Sequence, residues 1–251
     1  MKVKIICLIS VVLAMSLLGG CLSVSIGPNI GVGSHGSVRG EGEIMVFPVE
    51  TGDFTSVSVG GVFEIDYRQS SVRSITVEIQ ENLFEHLSFS VTDGLLTVRS
   101  ETIFTVDWNS TPRLTIYAPT LEQVIFSGAS STGNWDTLIA EDLSLHISGA
   151  SSATIPIEAN RLSVNISGAG NINLHGEADI VDFQTSGAAD ISAGELQTRI
   201  ANISISGAGN VTIACSEELN ATLSGAGSLR YIGDPFVTQR IMGVGSISQI
   251  G

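Results

Sequence analysis

Lysine is nearly absent: Lys2 and Lys4 are the only two in 251 residues. Nothing beyond residue 4 can therefore form a lysine Schiff base or complete an S-x-x-K pair. Charged residues make up 14% and aromatics 6% of the chain. That balance is too apolar for a disordered chain and too poor in Glu, Lys and Ala for a helical bundle. Eleven basic residues against 25 acids give a formal charge of −14. No basic groove is available for nucleic acid, and an anionic lipid surface would repel the chain. What is abundant is glycine, 28 residues, together with short runs of β-branched residues, and both point to an all-β protein.

The N-terminus is expected to be an address and an anchor. Lys2 and Lys4 precede an apolar stretch from Ile5 to Leu18, interrupted only by Ser10 and Ser16. At 14 residues it is shorter than the roughly 20 that span a bilayer and has the layout of a secretory signal. It ends in Leu18-Gly19-Gly20-Cys21, which resembles the bacterial lipobox. The alternative is an ordinary signal peptide or short membrane anchor with a chance cysteine. A used lipobox makes residues 1–20 a removed signal and Cys21 the lipidated N-terminus, anchored to the cell membrane or outer membrane by a diacylglycerol and commonly an added palmitate, with the protein outside the cytoplasm. The mature chain would then hold nine arginines against 25 acids, net −16. Cys215 would have no intrachain partner and is expected to be a small buried hydrophobe. Residues 21–40, rich in Gly and Ser, read as a flexible tether reaching about 25 Å.

The remainder, 41–251, is organised by a recurring Ser-Gly-Ala, at Ser127, Ser148, Ser167, Ser186, Ser206 and Ser224, with intervals of 21, 19, 19, 20 and 18 residues. A further copy around Met242-Gly243-Val244-Gly245 keeps the spacing of 18 but loses Ser and Ala, as terminal repeats do. Between the motifs, apolar and polar residues alternate, as in Leu162, Val164 and Ile166 against Ser163, Asn165 and Ser167. This is the period of half-buried strands. Parity carries the glycines onto the inward register, where the chain must bend and no side chain can collide with the next tier. The spacing predicts a right-handed parallel β-helix, a β-solenoid of about seven coils over 121–251. An antiparallel meander or sandwich, in which the motifs would be turns, is the competing reading.

Residues 41–120 are expected to form an antiparallel start that caps the same solenoid domain. Asp93-Gly94 signals a hairpin, and Glu81 to His86 a single helical turn. Val59-Gly60-Gly61-Val62 and Arg39-Gly40-Glu41-Gly42 look like degenerate copies of the repeat.

The lipoprotein signal, followed by FTSVSVGGVFEI, ENL, VTDGLLTVRS, LTIYAPTLEQVIFSGASS and the SGAG repeats, resembles the bacterial family described as "putative auto-transporter adhesin head GIN domain", over about residues 42–235. The resemblance implies an all-β fold, an envelope or surface location and no established catalytic residues.

Reactive constellations are scarce. G-x-S-x-G and calcium-loop motifs do not occur. Six equivalent serines suit a ladder of hydrogen bonds better than a unique nucleophile. His35, His86, His146 and His175 lack metal-ligand spacing, so no metal site and no cofactor are expected, a weak Ca²⁺ site on the acidic edge aside. The acids cluster at Glu141 with Asp142, Glu177 with Asp179 and Asp182, and Glu217 with Glu218. Their recurrence places them on one edge of the solenoid, either as a solvated face or as paired carboxylates for glycoside chemistry. Outward polar rows with Asn165 and Asn171, and the indoles of Trp108 and Trp135, are the candidate binding residues; the alternative for both tryptophans is that they cover the entrance to the core. The reading is thus a non-catalytic, membrane-anchored binding or structural module of the envelope, adhesin-like, with a glycan or an envelope protein as partner. A β-helical carbohydrate-active enzyme and an envelope scaffold or stress-response protein are its rivals.

Overall fold

The computed structural model describes residues 37–107 and 110–250. The signal, Cys21, most of the tether and Trp108 lie outside the described residues. The first half contributes β1 (Val38–Arg39), β2 (Ile44–Val49), β3 (Ser56–Gln69), β4 (Ser74–Gln80), α1 (Glu81–Phe84), β5 (Leu87–Thr92), β6 (Leu95–Ser100), β7 (Phe104–Thr105) and β8 (Arg113–Ala118). The second half is almost unbroken strand: β9 (Gln123–Trp135), β10 (Leu138–Ile166), β11 (Ala169–Thr185), β12 (Ala188–Ile205), β13 (Asn210–Leu223), β14 (Ser228–Ile232), β15 (Phe236–Ile241) and β16 (Ser246–Gln249).

The second half is a parallel β-solenoid. Each of β9 to β13 pairs in parallel with its sequence neighbour, and β14 to β16 continue the stack. Register follows the repeat: Ala150 lies beside Ala169, and Ala169 beside Ala188. Alternation sends one residue in two inward, so successive coils stack columns such as Leu162, Val181, Ala201 and Leu219, all fully buried. Each such side chain contributes about 1.5–3 kcal/mol. Small residues at the corners let tiers approach; at Gly168 a Cβ would overlap the Gly149 carbonyl. The outward corner serines Ser127, Ser148 and Ser206 donate to main-chain carbonyls of the tier before, Ser206 Oγ to Thr185 O at 3.2 Å, so these contacts run through the backbone.

There are about six turns, fewer than the seven repeats suggest. Among the described residues, the last Gly pair leads into β16, which stacks on β14.

The first half also departs from a purely antiparallel start. Antiparallel pairs are present: β2 with β4, β4 with β8, and the β5–β6 hairpin, which turns at Asp93 (φ 50°) and Gly94 (φ 77°). Yet β3 is itself a solenoid tier. It pairs in parallel with β9 on one side, Gly61 beside Gly128, and with β6 and β8 on the other. The chain lays β3 first, passes beneath it with β6 and β8, then returns above it with β9. Val59-Gly60-Gly61-Val62 is a true copy of the repeat. The Arg39–Ile44 segment is not: β1 pairs with β7 in a separate two-stranded sheet, and β2 runs antiparallel to β4.

The wide end of the core lies here, filled by Phe54, Phe63, Tyr67 and Phe126. Leu83 of α1 is fully buried against it, and Phe84 joins Phe47 and Phe89 in an aromatic cluster with centroids 4.1 and 5.9 Å apart.

Candidate binding surface

The acidic edge is concave. Opposite the Ser-Gly-Ala corner the chain turns through Ala159, Ala178, Thr198 and Cys215, which stand at one register position in successive coils. These small side chains sink the wall, and a groove of about 1430 Å³ runs along the stack from Thr120 to Asp234. Glu122, Glu141, Asp142, Glu158, Glu177 and Asp179 line it with Arg161 and Arg199, so its charge is predominantly negative.

Ion pairs tie the rim together across coils. Arg199 grips Asp179 with two hydrogen bonds, Nε to Oδ1 at 2.8 Å and Nη2 to Oδ2 at 3.0 Å, and reaches Glu217 Oε2 at 2.8 Å with Nη1. The Arg199 hydrogen bond holds the Asp179 carboxyl below its ordinary range, and the two carboxylates hold the guanidinium more firmly protonated. Arg161 meets Asp182 at 2.6 Å. Asp182 accepts from Asn202 Nδ2 at 2.8 Å, and Asn202 Oδ1 from Asn220 Nδ2 at 3.1 Å, which makes a polar ladder beside the groove. Cys215 is free and buried, its thiol within 3.1 Å of the Glu218 carbonyl. Burial pushes its pKa up, away from nucleophilic use.

Glu158 and Glu177 stand side by side in register on adjacent strands, a spacing of about 4.8 Å. That is near the separation of a retaining glycosidase pair. Both are exposed and hold the same position of successive coils, whereas an acid and a nucleophile need unlike surroundings. Among the described residues, no three His, Cys, Asp or Glu groups converge to hold a metal ion. His146 instead shares a 2.9 Å hydrogen bond with Ser144.

The sequence candidates separate. Asn165 is half-buried in a shallow cleft of about 320 Å³ beside the Ser-Gly-Ala corner, stacked with Gln184 and Ser204. Asn171 is exposed beyond that corner, in register with Asp190. Neither lines the acidic groove. Trp135 is no open platform: its Nε1 donates to the Ile65 carbonyl at 2.6 Å, and its ring packs on Tyr67 and Phe126 with centroids 5.6 and 6.1 Å away. It covers the core, the second of the two roles considered for it. The sequence did not single out Arg199. Its signal was present: Asp179, Arg199 and Glu217 are spaced by 20 and 18 residues, the period of the repeat.

A family model described as "Putative auto-transporter adhesin, head GIN domain" matches residues 53–235. The chain belongs to this family. Membership agrees with an extracytoplasmic or surface location and makes an adhesive role the family-level expectation. Among solved structures, a "putative adhesin" from Bacteroides fragilis superposes with a TM-score of 0.81 at 24% identity, covering 85% of this chain and 100% of its own. One from Parabacteroides merdae gives 0.59 at 22%, with 86% and 99% covered. A Parabacteroides distasonis protein described as a "putative lipid binding protein" gives 0.61 at 21%, with 86% and 100% covered. At these identities the likeness is one of fold. No curated protein matches the sequence. Among the described residues, no helix is long and apolar enough to cross a membrane.

Proposed function

We propose that this family member is a lipid-anchored, non-catalytic binding module displayed outside the cytoplasm, and that it holds an extended polymer, in the first place a glycan, along the acidic groove. The observation that carries this reading is the groove itself, which runs across successive coils from Thr120 to Asp234. A tier spacing of about 4.8 Å sets polar side chains of successive coils side by side, Glu158 beside Glu177 and Glu177 beside Gln197, so that a ligand lying along the stack meets polar groups from several coils. Carboxylates and guanidinia at the rim offer acceptors and donors for hydroxyl groups, and the shallow wall suits a ligand that lies along the surface rather than one that is engulfed. Asn165 and its neighbours offer a second, smaller polar face of the same kind.

The Glu158 and Glu177 pair gives the enzyme reading its one specific support. A glycan-array screen with and without Ca²⁺, followed by product analysis, separates the two. Binding without turnover that is lost in the exposed double variant Glu158→Gln, Glu177→Gln supports the module. Cleavage that disappears in the same variant makes the groove an active site. Absence of any glycan binding overturns the glycan assignment and transfers the groove to a protein ligand, which is the scaffold reading.

A further inference from the structure

The chain places its few arginines against particular acids. Arg113 meets Glu64 at 3.1 Å, Arg68 meets Asp136 at 3.3 Å, Arg161 meets Asp182 at 2.6 Å, and Arg199 holds Asp179 and Glu217. Both guanidinia that line the groove are thus already matched by carboxylates. Glu122, Glu141, Asp142, Glu158, Glu177 and Asp234 line the same groove and are exposed. Among the described residues, no ion pair or hydrogen bond holds their carboxylates.

Glu158 and Glu177 carry this furthest. They stand side by side in register, about 4.8 Å apart, and like charges directly opposite one another on a sheet are destabilising. Other columns of the stack avoid this: Asp182 accepts from the Asn202 amide at 2.8 Å, and Asp190 from that of Asn210 at 2.7 Å. A local rule broken in one place, with no compensation from the chain, marks a place that something else completes. The floor between the carboxylates is made of small side chains, Ala159 and Ala178 with Thr198 and Cys215. Among the described residues that line the groove there is no aromatic ring on which a neutral sugar could stack.

We infer that the groove takes a cationic glycan, a linear polymer of amino sugars whose amines are free and protonated. This rests on the reading of the groove as a glycan site and adds the charge of the ligand. An ammonium set between Glu158 and Glu177 replaces one repulsion with two attractions. Further amines along the polymer meet Glu141 and Asp142 toward one end of the groove and Asp234 toward the other. The C–H faces of the rings lie against the methyl floor. Glycans built of uronates, or bearing sulfate or phosphate, are repelled. A basic peptide has the right charge but the wrong mode. Extended peptides bind by adding a strand to a free sheet edge, whereas β10 to β13 beneath the groove are paired on both sides.

The test is isothermal titration calorimetry of the full chain in mild detergent, at a pH where glucosamine is protonated. The probes are a glucosamine hexasaccharide, its fully N-acetylated counterpart, an oligogalacturonate and hexalysine. The glucosamine oligomer is expected to bind at least about tenfold more tightly than the acetylated one and to weaken steeply as salt rises. The double variant Glu158→Gln, Glu177→Gln should weaken it at least about tenfold, while Glu101→Gln, outside the groove, leaves it unchanged. The double variant should melt at or above the wild-type temperature because a like-charge contact is relieved, so that lost binding is not lost fold. Equal binding of the acetylated oligomer, or tighter binding of the galacturonate, abolished in the double variant, overturns the charge assignment and leaves the groove a glycan site. Glucosamine binding that survives the double variant also overturns the inference. Hexalysine bound more tightly than the glucosamine oligomer assigns the groove to a basic peptide instead. Binding of no oligosaccharide at all ends the glycan reading and this inference with it.

Discussion

Gly168 lies against Gly149 so closely that a Cβ built on it would overlap the Gly149 carbonyl oxygen and crowd the whole peptide unit. The same relationship recurs between Gly187 and Gly168, and between Gly225 and Gly207. The neighbour is main chain already committed to the inter-coil ladder, so it cannot yield as a flexible side chain would. Gly168→Ala is therefore expected to cost about 2–3 kcal/mol, and Gly168→Val more. Gly52 is the control, because the nearest atoms to its Cβ are those of Val91 at 4.0 Å. Urea unfolding followed by circular dichroism should show a lowered midpoint for both Gly168 variants and almost none for Gly52→Ala. An unchanged midpoint for Gly168→Val would place the motif outside any stacked coil.

Tyr67 links core packing to pH. It is fully buried, its hydroxyl donates to the Ala118 carbonyl at 3.2 Å, and burial, with the nearby Asp136 carboxylate, pushes its pKa up to about 12 from 10.0. The folded state thus keeps the proton that the unfolded chain gives up near pH 10. The stabilisation is complete below that pH and is lost as pH rises through about 12, an effect of about 2–3 kcal/mol. Denaturation midpoints measured from pH 9 upward should fall across this window in the wild type and much less in Tyr67→Phe. Tyrosinate absorbance should show one of the three tyrosines titrating late.

Much of this fold was legible because a repeat copies one local rule many times. Alternation about Leu162, Val164 and Ile166 and the fixed place of Gly168 were enough to give strands, corners and a stack. The crossover that puts β3 between β6, β8 and β9 was only half visible. Val59-Gly60-Gly61 carries the corner signature, but the order in which tiers are laid depends on long-range pairing that no local period encodes. Trp135 shows the limit for side chains: position parity cannot tell a ring on the surface from one folded back over Tyr67. The acidic edge was foreseen as a line of charge, and its concavity was not. That depends on the small residues Ala159, Ala178, Thr198 and Cys215 sharing one column, a pattern that emerges only after the coils are in register.

The Arg199 clamp should be visible in acid titrations. Its two hydrogen bonds to Asp179 favour the charged carboxylate, so the folded chain binds that proton less readily than the unfolded chain. The resulting stabilisation is present above the ordinary carboxylate range and is lost as pH falls through the lowered value. In Arg199→Gln the Asp179 resonance should titrate at a higher pH than in the wild type, and the acid limb of stability should flatten. Solvent screens this exposed pair, so the expected change near neutral pH is small. A large loss of stability there would mean that Arg199 holds the coils together by packing rather than by charge.

The proposed anchoring rests on Cys21. In the proposed lipobox, the stretch Lys2 to Leu18 followed by Gly19-Gly20-Cys21 would position one cysteine for acylation. At about 0.8 kcal/mol per buried CH₂, two chains hold a protein to a bilayer stably and one does not. The chain's net charge of −14 repels anionic headgroups, and among the described residues no helix is long enough to cross. Cys21→Ser should therefore shift the protein from the membrane fraction to the soluble extracytoplasmic fraction, and labelled palmitate should be lost with it. If the variant stays in the membrane pellet through a carbonate wash, residues 5–18 act as an uncleaved anchor and the lipobox assignment fails.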